Sequence, residues 1–191
     1  AEDLQDITWQ EYLEIGKVVK EKTGKHMAAQ DLNEISGMSR IMMQSADTWY
    51  FDKDGNLQIE NNDALKEALS VFKEMKDTGI VKGTNGWDEW VGAMNDGSAA
   101  SVVTGSWIIP SITSATDQSG KWAIAPVPKL STVNSVNASN LGGSSWYVVG
   151  GKDNTDTTID FLNKTFGSDN DFYQTILSDV GAIGTYIPAQ S

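Results

Sequence analysis

The sequence predicts an α/β fold, because amphipathic helical patterns alternate along the chain with short runs of small and β-branched residues. Residues Ala99–Pro110 show the pattern best. A strand-like run leads into Gly105, which permits a sharp turn, and Trp107 follows where a helix should begin. Ligands bind at the carboxyl ends of strands in open α/β sheets, so Trp107 is either core filler or a ligand platform.

Capping signals define the first elements. Thr8 and Glu11 form a capping-box pattern ahead of an apolar stripe, and the helix should stop near Gly24. The next expected elements are a short strand at 25–29, a polar loop at 30–34 and a methionine-rich helix at 35–44. Loops that follow strands commonly carry hydrogen-bonding groups for ligands.

Turn residues divide the middle of the chain. Asp54-Gly55 predicts a β-hairpin, and Asn61-Asn62-Asp63 caps a second amphipathic helix that Gly79 closes. A short helix at 87–94 then precedes the strand that begins at Ala99. The remaining expected elements are a helix at 108–116, a strand at 121–127, a flexible loop at 129–141, a strand after Gly142-Gly143, and helices at 156–166 and 169–179.

Composition excludes several classes of function. The 191-residue chain carries a formal net charge of −12, which disfavours nucleic acids and anionic membrane surfaces. It has no cysteine and a single histidine, His26, so disulfides, thiol catalysis and multi-histidine metal sites are excluded. We find no catalytic constellation and expect no metal and no cofactor.

Tryptophan and glycine together indicate a saccharide site. An indole offers a flat apolar face for sugar C–H groups, and exposed backbone or polar side chains supply hydrogen bonds to hydroxyls. The candidate ligand-binding residues are Trp107, Gly142, Gly143, Ser144, Trp146, Asn33, Asp31, Glu34 and Trp90. A purely structural role stays open as the alternative for each of the three tryptophans.

Several short motifs occur in a fixed order over nearly the whole chain. They are Ile7–Tyr12, Asp54-Gly55, Met94–Ala100, Thr104–Trp107, Ala125–Pro128, Leu141–Gly143 and Ile187–Ala189. In this order they resemble the extracellular solute-binding proteins of sugar ABC transporters, the family that includes maltose- and trehalose-binding proteins. The resemblance implies periplasmic-binding-protein-like type II lobes, each with a mixed sheet flanked by helices.

The resemblance also assigns positions. The family's stacking tryptophan falls on Trp107, its Gly-Gly turn on Gly142 and Gly143 followed by Ser144, and its polar loop on about 31–36. Family members are considerably longer, so we expect a fragment. Residues 1–127 would be the core of the second, C-terminal lobe, 128–141 a loop or hinge, and 142–191 a return segment that packs with the first lobe.

The implied function is to bind a sugar or oligosaccharide between two lobes and deliver it to ABC permease subunits, without catalysis. The expected location is the extracellular face of the bacterial membrane or the periplasm. Membrane attachment is expected only through a lipid anchor on a preceding N-terminal segment, if the source is Gram-positive. The alternatives are a carbohydrate-active enzyme domain, a lectin-like module and a structural surface lipoprotein.

Overall fold

The computed structural model describes residues 4–34 and 36–190, in which helices alternate along the chain with the strands of one small sheet. The strands are β1 (His26–Asp31), β2 (Val81–Thr84) and β3 (Ala99–Ser101). The helices are α1 (Trp9–Thr23), α2 (Ser36–Ser45), α3 (Asp63–Asp77), α4 (Trp87–Asn95), α5 (Ile109–Thr113), α6 (Thr155–Lys164) and α7 (Asn170–Val180). Short 3-10 turns lie at Ser106–Ile108, Thr116–Gln118 and Ile187–Gln190.

The three strands run parallel in the order β2-β1-β3. In this register Asp31, the last residue of β1, lies opposite Thr84, the last residue of β2. Parallel strands all end at one edge, so the loops after them gather there. The predicted α/β class is confirmed.

The expectation of a mixed sheet needs refinement. Each strand pair described is parallel, since the crossover helices return the chain to the same edge each time. Among the described residues, antiparallel pairing is confined to one bridge between Phe51 and Leu57 in the predicted hairpin.

The main core lies between the sheet and helices α1, α2 and α3. Its buried apolar residues are Ile7, Trp9, Tyr12, Leu13, Met27, Met38, Met42, Ala64, Ala68, Val71, Met75, Ile80 and Leu130. Tyr12 joins α1 to the sheet through its hydroxyl, which lies 2.7 Å from Ser101 Oγ, and Ser101 in turn donates to the Met27 carbonyl. Burial raises the pKa of Tyr12 to about 12, so this phenol stays neutral.

The chain divides into two units. The first comprises the described residues up to Gly105 together with Ser111–Leu141, and it contains the sheet and the main core. The second comprises Ser106–Pro110 and the described residues from Gly142 onward, including α6 and α7. In the second unit α6 buries none of its residues and α7 buries only Tyr173.

Two predicted strands are wrong. Residues 121–127 and the segment after Gly143 are not part of any sheet in the described chain. An extended segment without a neighbour leaves its backbone groups to water, so a strand-like pattern alone does not form a ladder. The segment after Pro128 instead makes a single parallel bridge, between Lys129 and Thr8.

Other boundaries also changed. Strand β2 is not predicted from sequence, because Lys82 and Gly83 are poor strand formers, yet its pairing with β1 holds it extended. Gln30 and Asp31 were predicted in a loop but end β1. Helix α2 begins at Ser36, while the predicted start at Ile35 lies outside the described residues.

Glu67 ties the loop after Lys129 to α3. Its Oε1 accepts hydrogen bonds from the amide and the hydroxyl of Ser131, both at 2.7 Å, and its Oε2 accepts from the amide and hydroxyl of Thr132. Burial tends to raise the pKa of Glu67, but these hydrogen bonds outweigh it and lower the pKa below 4.5. The buried carboxylate is therefore ionised at neutral pH and fully satisfied.

We expect Glu67→Gln to lower the free energy of unfolding by about 1–3 kcal/mol, because an amide presents an N–H group to donors that need an acceptor. Chemical denaturation at neutral pH measures the loss. The matched control is Glu14→Gln on α1, where an exposed pair with Lys17 should be worth only about 0–1 kcal/mol.

The hydrogen bonds of Glu67 also predict how the free energy of unfolding depends on pH. A lowered folded-state pKa stabilises the protein above the ordinary pKa of 4.5, and the contribution disappears as the pH falls below that value. Glu67→Gln should therefore flatten the acid side of the stability profile. Equal losses of unfolding free energy in Glu67→Gln and Glu14→Gln at neutral pH would contradict a stabilising role for the Glu67 hydrogen bonds.

Candidate functional site

Asp31 organises the polar edge of the first unit. Its Oδ1 accepts hydrogen bonds from the Asn33 amide at 2.9 Å, from the Asn33 side chain at 3.1 Å and from the Gly86 amide at 3.0 Å. The amides of Asn33 and Gly86 lower the pKa of Asp31, so the side chain is an ionised acceptor. This carboxylate therefore joins the loops that follow β1 and β2.

Glu34 is turned toward α2. Its Oε1 accepts from the Ser36 hydroxyl and lies 3.4 Å from Arg40. The Ser36 hydroxyl, assisted by the Arg40 charge, lowers the pKa of Glu34. Of the polar loop predicted from sequence, the structure thus places Asp31 and Asn33 in direct contact, while Glu34 pairs with α2.

Trp90 is anchored on the sheet. Its Nε1 donates to the Ala29 carbonyl at 3.0 Å, and its ring packs against Ala29, Ala93 and Ala99. This placement favours the structural alternative for Trp90. The exposed indole of this helix belongs to Trp87, one turn earlier, whose ring meets that of Trp90 edge to face at 5.5 Å. The motif 87–90 contains both residues, but only helix orientation distinguishes them.

Trp107 and Gly142 lie together in the second unit. The indole is so close to the glycine that an added Cβ would stand 3.1 Å from its Nε1. Gly142 has φ 116°, and Gly143 has φ 100°, conformations that other residues rarely adopt. Trp107 nevertheless remains 43% exposed, so part of its surface stays available to a ligand.

Ser144 and Trp146 follow the glycine pair in an exposed segment without regular secondary structure. Trp146 is 66% exposed, and its ring contacts Phe166 at 5.1 Å. Phe166 itself meets Phe172 edge to face at 4.8 Å. Trp146 therefore lies at the rim of an aromatic cluster of the second unit, an arrangement that fits either a packing or a stacking role.

One groove of the first unit lies elsewhere. A cavity of about 720 Å³ runs between the hairpin and the start of α3 and includes none of the predicted site residues. Two of its polar side chains, Asp52 and Asn62, hold local structure. Asp52 accepts from Asp54 and Asn56 of its own turn, and Asn62 caps α3.

Two absences concern residues 4–34 and 36–190. No group of three acidic or histidine side chains there is arranged to hold a metal ion. None of the helices in that part of the chain is long and apolar enough to cross a bilayer. What the arrangement supplies is flat aromatic surface together with carboxylate and amide groups, the chemistry that recognises neutral polyhydroxyl ligands.

Comparison with known proteins extends over almost the whole chain. A family model described as bacterial extracellular solute-binding protein matches residues 3–189. Over 190 residues the chain is 46% identical to a lactose-binding protein of Rhizobium radiobacter, covering 100% of this chain and 45% of the relative. It is 32% identical over 167 residues to an arabinooligosaccharide-binding protein of Bacillus subtilis (strain 168), covering 85% of this chain and 38% of the relative.

The fold resembles that of a solved receptor. The GacH receptor of Streptomyces glaucescens GLA.O, studied unliganded and with acarbose, superposes with a TM-score of 0.79 at 20% identity. The match covers 96% of this chain and 47% of the receptor. This likeness confirms the predicted binding-protein fold. The chain spans about half the length of the relatives it matches.

The contact between Trp107 and Gly142 is testable with two glycine variants. Gly142→Ala forces a Cβ against the indole, whereas Gly143→Ala adds a Cβ with nothing within 4 Å. Both variants carry backbone strain of about 1–3 kcal/mol. With 5-fluorotryptophan labelling, the ¹⁹F resonance of Trp107, assigned through Trp107→Phe, should shift in Gly142→Ala and stay in place in Gly143→Ala. An unchanged resonance in both would contradict the contact.

Proposed function

Because the chain belongs to the bacterial extracellular solute-binding protein family, we propose that it binds a sugar or oligosaccharide and serves an ABC importer. This membership confirms the resemblance that the sequence motifs indicated. The family consists of binding proteins and not of enzymes, so the role is recognition without bond cleavage. The importer's permease subunits are the proposed protein partner, and the extracellular face of a bacterial membrane or the periplasm is the location.

One observation carries the ligand class: a partly exposed indole, Trp107, seated on the Gly142 turn. Two positive-φ glycines bring the backbone close to the indole, so apolar and hydrogen-bonding surfaces lie side by side. A saccharide needs this pairing, because its C–H face is apolar and its hydroxyls need directed partners. We infer that Trp107 is the stacking surface, with Gly142, Gly143 and Ser144 beside it.

The net charge of the chain further restricts the class of ligand. A net charge of −12 opposes anionic ligands, and the sheet edge of the first unit offers carboxylates such as Asp31 as acceptors for hydroxyl protons. The relatives named above bind lactose and arabinooligosaccharides, which are uncharged. A neutral saccharide is therefore the proposed ligand.

For the domain organisation we propose that residues 1–127 form the core of one lobe and that 128–141 form a loop or hinge. Residues 142–191 would then pack with a second lobe, formed by other parts of a longer protein. Two features of the second unit support this. Its helices leave apolar side chains exposed, among them Phe161, Leu177 and Val180. The strand-like segment after Gly143 also has no ladder partner in the described chain. Attachment through a lipid anchor belongs to the same proposal, for a Gram-positive source.

We expect Trp107→Ala to cost about 1–3 kcal/mol of saccharide affinity in the protein expressed from its complete gene, because the stacking surface is removed. Isothermal titration with lactose and with arabinotriose measures it. Trp107→Phe is the matched control, since it keeps an aromatic face and should retain most of the affinity. Affinity for both sugars that is unchanged in Trp107→Ala would remove Trp107 from the site.

A further inference from the structure

Trp87 is a second exposed indole, and it stands where ligands meet α/β sheets. It is the first residue of α4, three residues after the end of β2, and it is 50% exposed. Helix α4 packs along the sheet with Trp90 toward it, so Trp87, one turn nearer the helix start, extends the same helix face toward the carboxyl edge.

The position of Trp87 is fixed from two sides. Its ring meets Trp90, which is itself tied to the Ala29 carbonyl of β1. The residue before it, Gly86, donates its amide to Asp31 Oδ1 at 3.0 Å. A rigid aromatic face loses little conformational entropy when a ligand stacks on it. Stacking a ligand on Trp87 would therefore cost little conformational entropy.

Asp31 supplies a hydrogen-bond acceptor that is bonded to Gly86, the residue before Trp87. All three of its hydrogen bonds in the described chain go to Oδ1, so Oδ2 accepts none there. The amides of Asn33 and Gly86 also lower its pKa, which keeps the side chain ionised at neutral pH. An ionised carboxylate oxygen bonds hydroxyl donors more strongly than a neutral acceptor does.

We propose that Trp87 and Asp31 form a saccharide subsite on the first unit, additional to the Trp107 surface. Trp87 would stack on the C–H face of one sugar residue while Asp31 Oδ2 accepts a hydroxyl proton from the same residue. This inference rests on the proposed function and deepens it by naming a second point of contact. The competing explanation is that Trp87 only covers Trp90.

The chemistry at this edge favours a sugar over other flat ligands. Asp88 and Glu89 occupy the first turn of α4 next to Trp87, so the surroundings are acidic. Glu89 accepts the Asn85 amide at 2.8 Å, which holds the loop between β2 and α4. Phosphate-bearing or carboxylate ligands would be repelled here, whereas an uncharged polyhydroxyl ligand gains acceptors.

Titration calorimetry of the protein expressed from its complete gene tests the subsite, with lactose and arabinotriose as probes. Trp87→Ala should weaken binding of at least one of them roughly tenfold, and Trp87→Phe should restore most of the loss. Asp31→Asn should weaken binding as well. Leu69→Ala, a comparably exposed apolar residue on α3, is the control that should leave both affinities unchanged.

A spectroscopic readout separates contact from support. The indole ¹H–¹⁵N resonance of Trp87, assigned by its loss in Trp87→Phe, should shift on adding the sugar that the unaltered protein binds. An unmoved resonance together with unchanged affinity in Trp87→Ala overturns the subsite and leaves the proposed function standing. Failure of the unaltered protein to bind either sugar overturns the proposed function, and this subsite with it.

Discussion

Strand β1 pairs in parallel with both of its neighbours, and this pairing governs where the loops that carry Asp31, Asn33 and Gly86 lie. Parallel pairing sends every strand end of the sheet to one edge. At that edge a single carboxylate, Asp31, receives the amides of Asn33 and Gly86 and so joins two loops. The polar edge is thus a consequence of strand direction and of one well-supplied acceptor.

The second unit, unlike the first, is held together mainly by contacts between aromatic rings. Its described residues hold few buried side chains, and its rings contact one another in a chain that runs from Trp146 through Phe166 to Phe172. Trp107 belongs to this unit and rests on Gly142. A unit that leaves so much apolar surface exposed is suited to packing against further protein. This is consistent with a chain that covers about half of its relatives.

Local signals predicted the helices well. The capping box at Thr8 and Glu11 begins α1 as expected, because it depends only on residues within one turn. Strands were less predictable, since a ladder requires a partner. The middle of β2, Lys82 and Gly83, consists of poor strand formers and pairs all the same. Residues 121–127 have a strand-like composition and join no sheet in the described chain. The environment, not the pattern, decided both.

In the candidate site, too, the sequence predicts candidate residues, whereas tertiary contacts determine what each of them touches. Both Trp107 and Gly142 were predicted as ligand-binding residues, but their contact across a long stretch of sequence is a tertiary feature that neither local pattern predicts. That Trp87 and not Trp90 would be the exposed indole of α4 depends on how the helix lies on the sheet, which periodicity in a nine-residue helix does not fix. The roles of Asp31 and Glu34 likewise depend on contacts with Gly86 and Arg40 that sequence does not reveal.

Hydrogen–deuterium exchange tests most directly whether the protein binds a neutral saccharide, and it reports separately on the sheet edge of the first unit and on the Trp107 turn. The protein expressed from its complete gene would be compared with and without saturating lactose. We predict slower exchange in peptides covering 31–34, 84–90, 105–108 and 142–144, and unchanged exchange in the hairpin groove at 50–60. Protection confined to the hairpin groove, or no protection at the four predicted segments, would contradict saccharide binding at these segments.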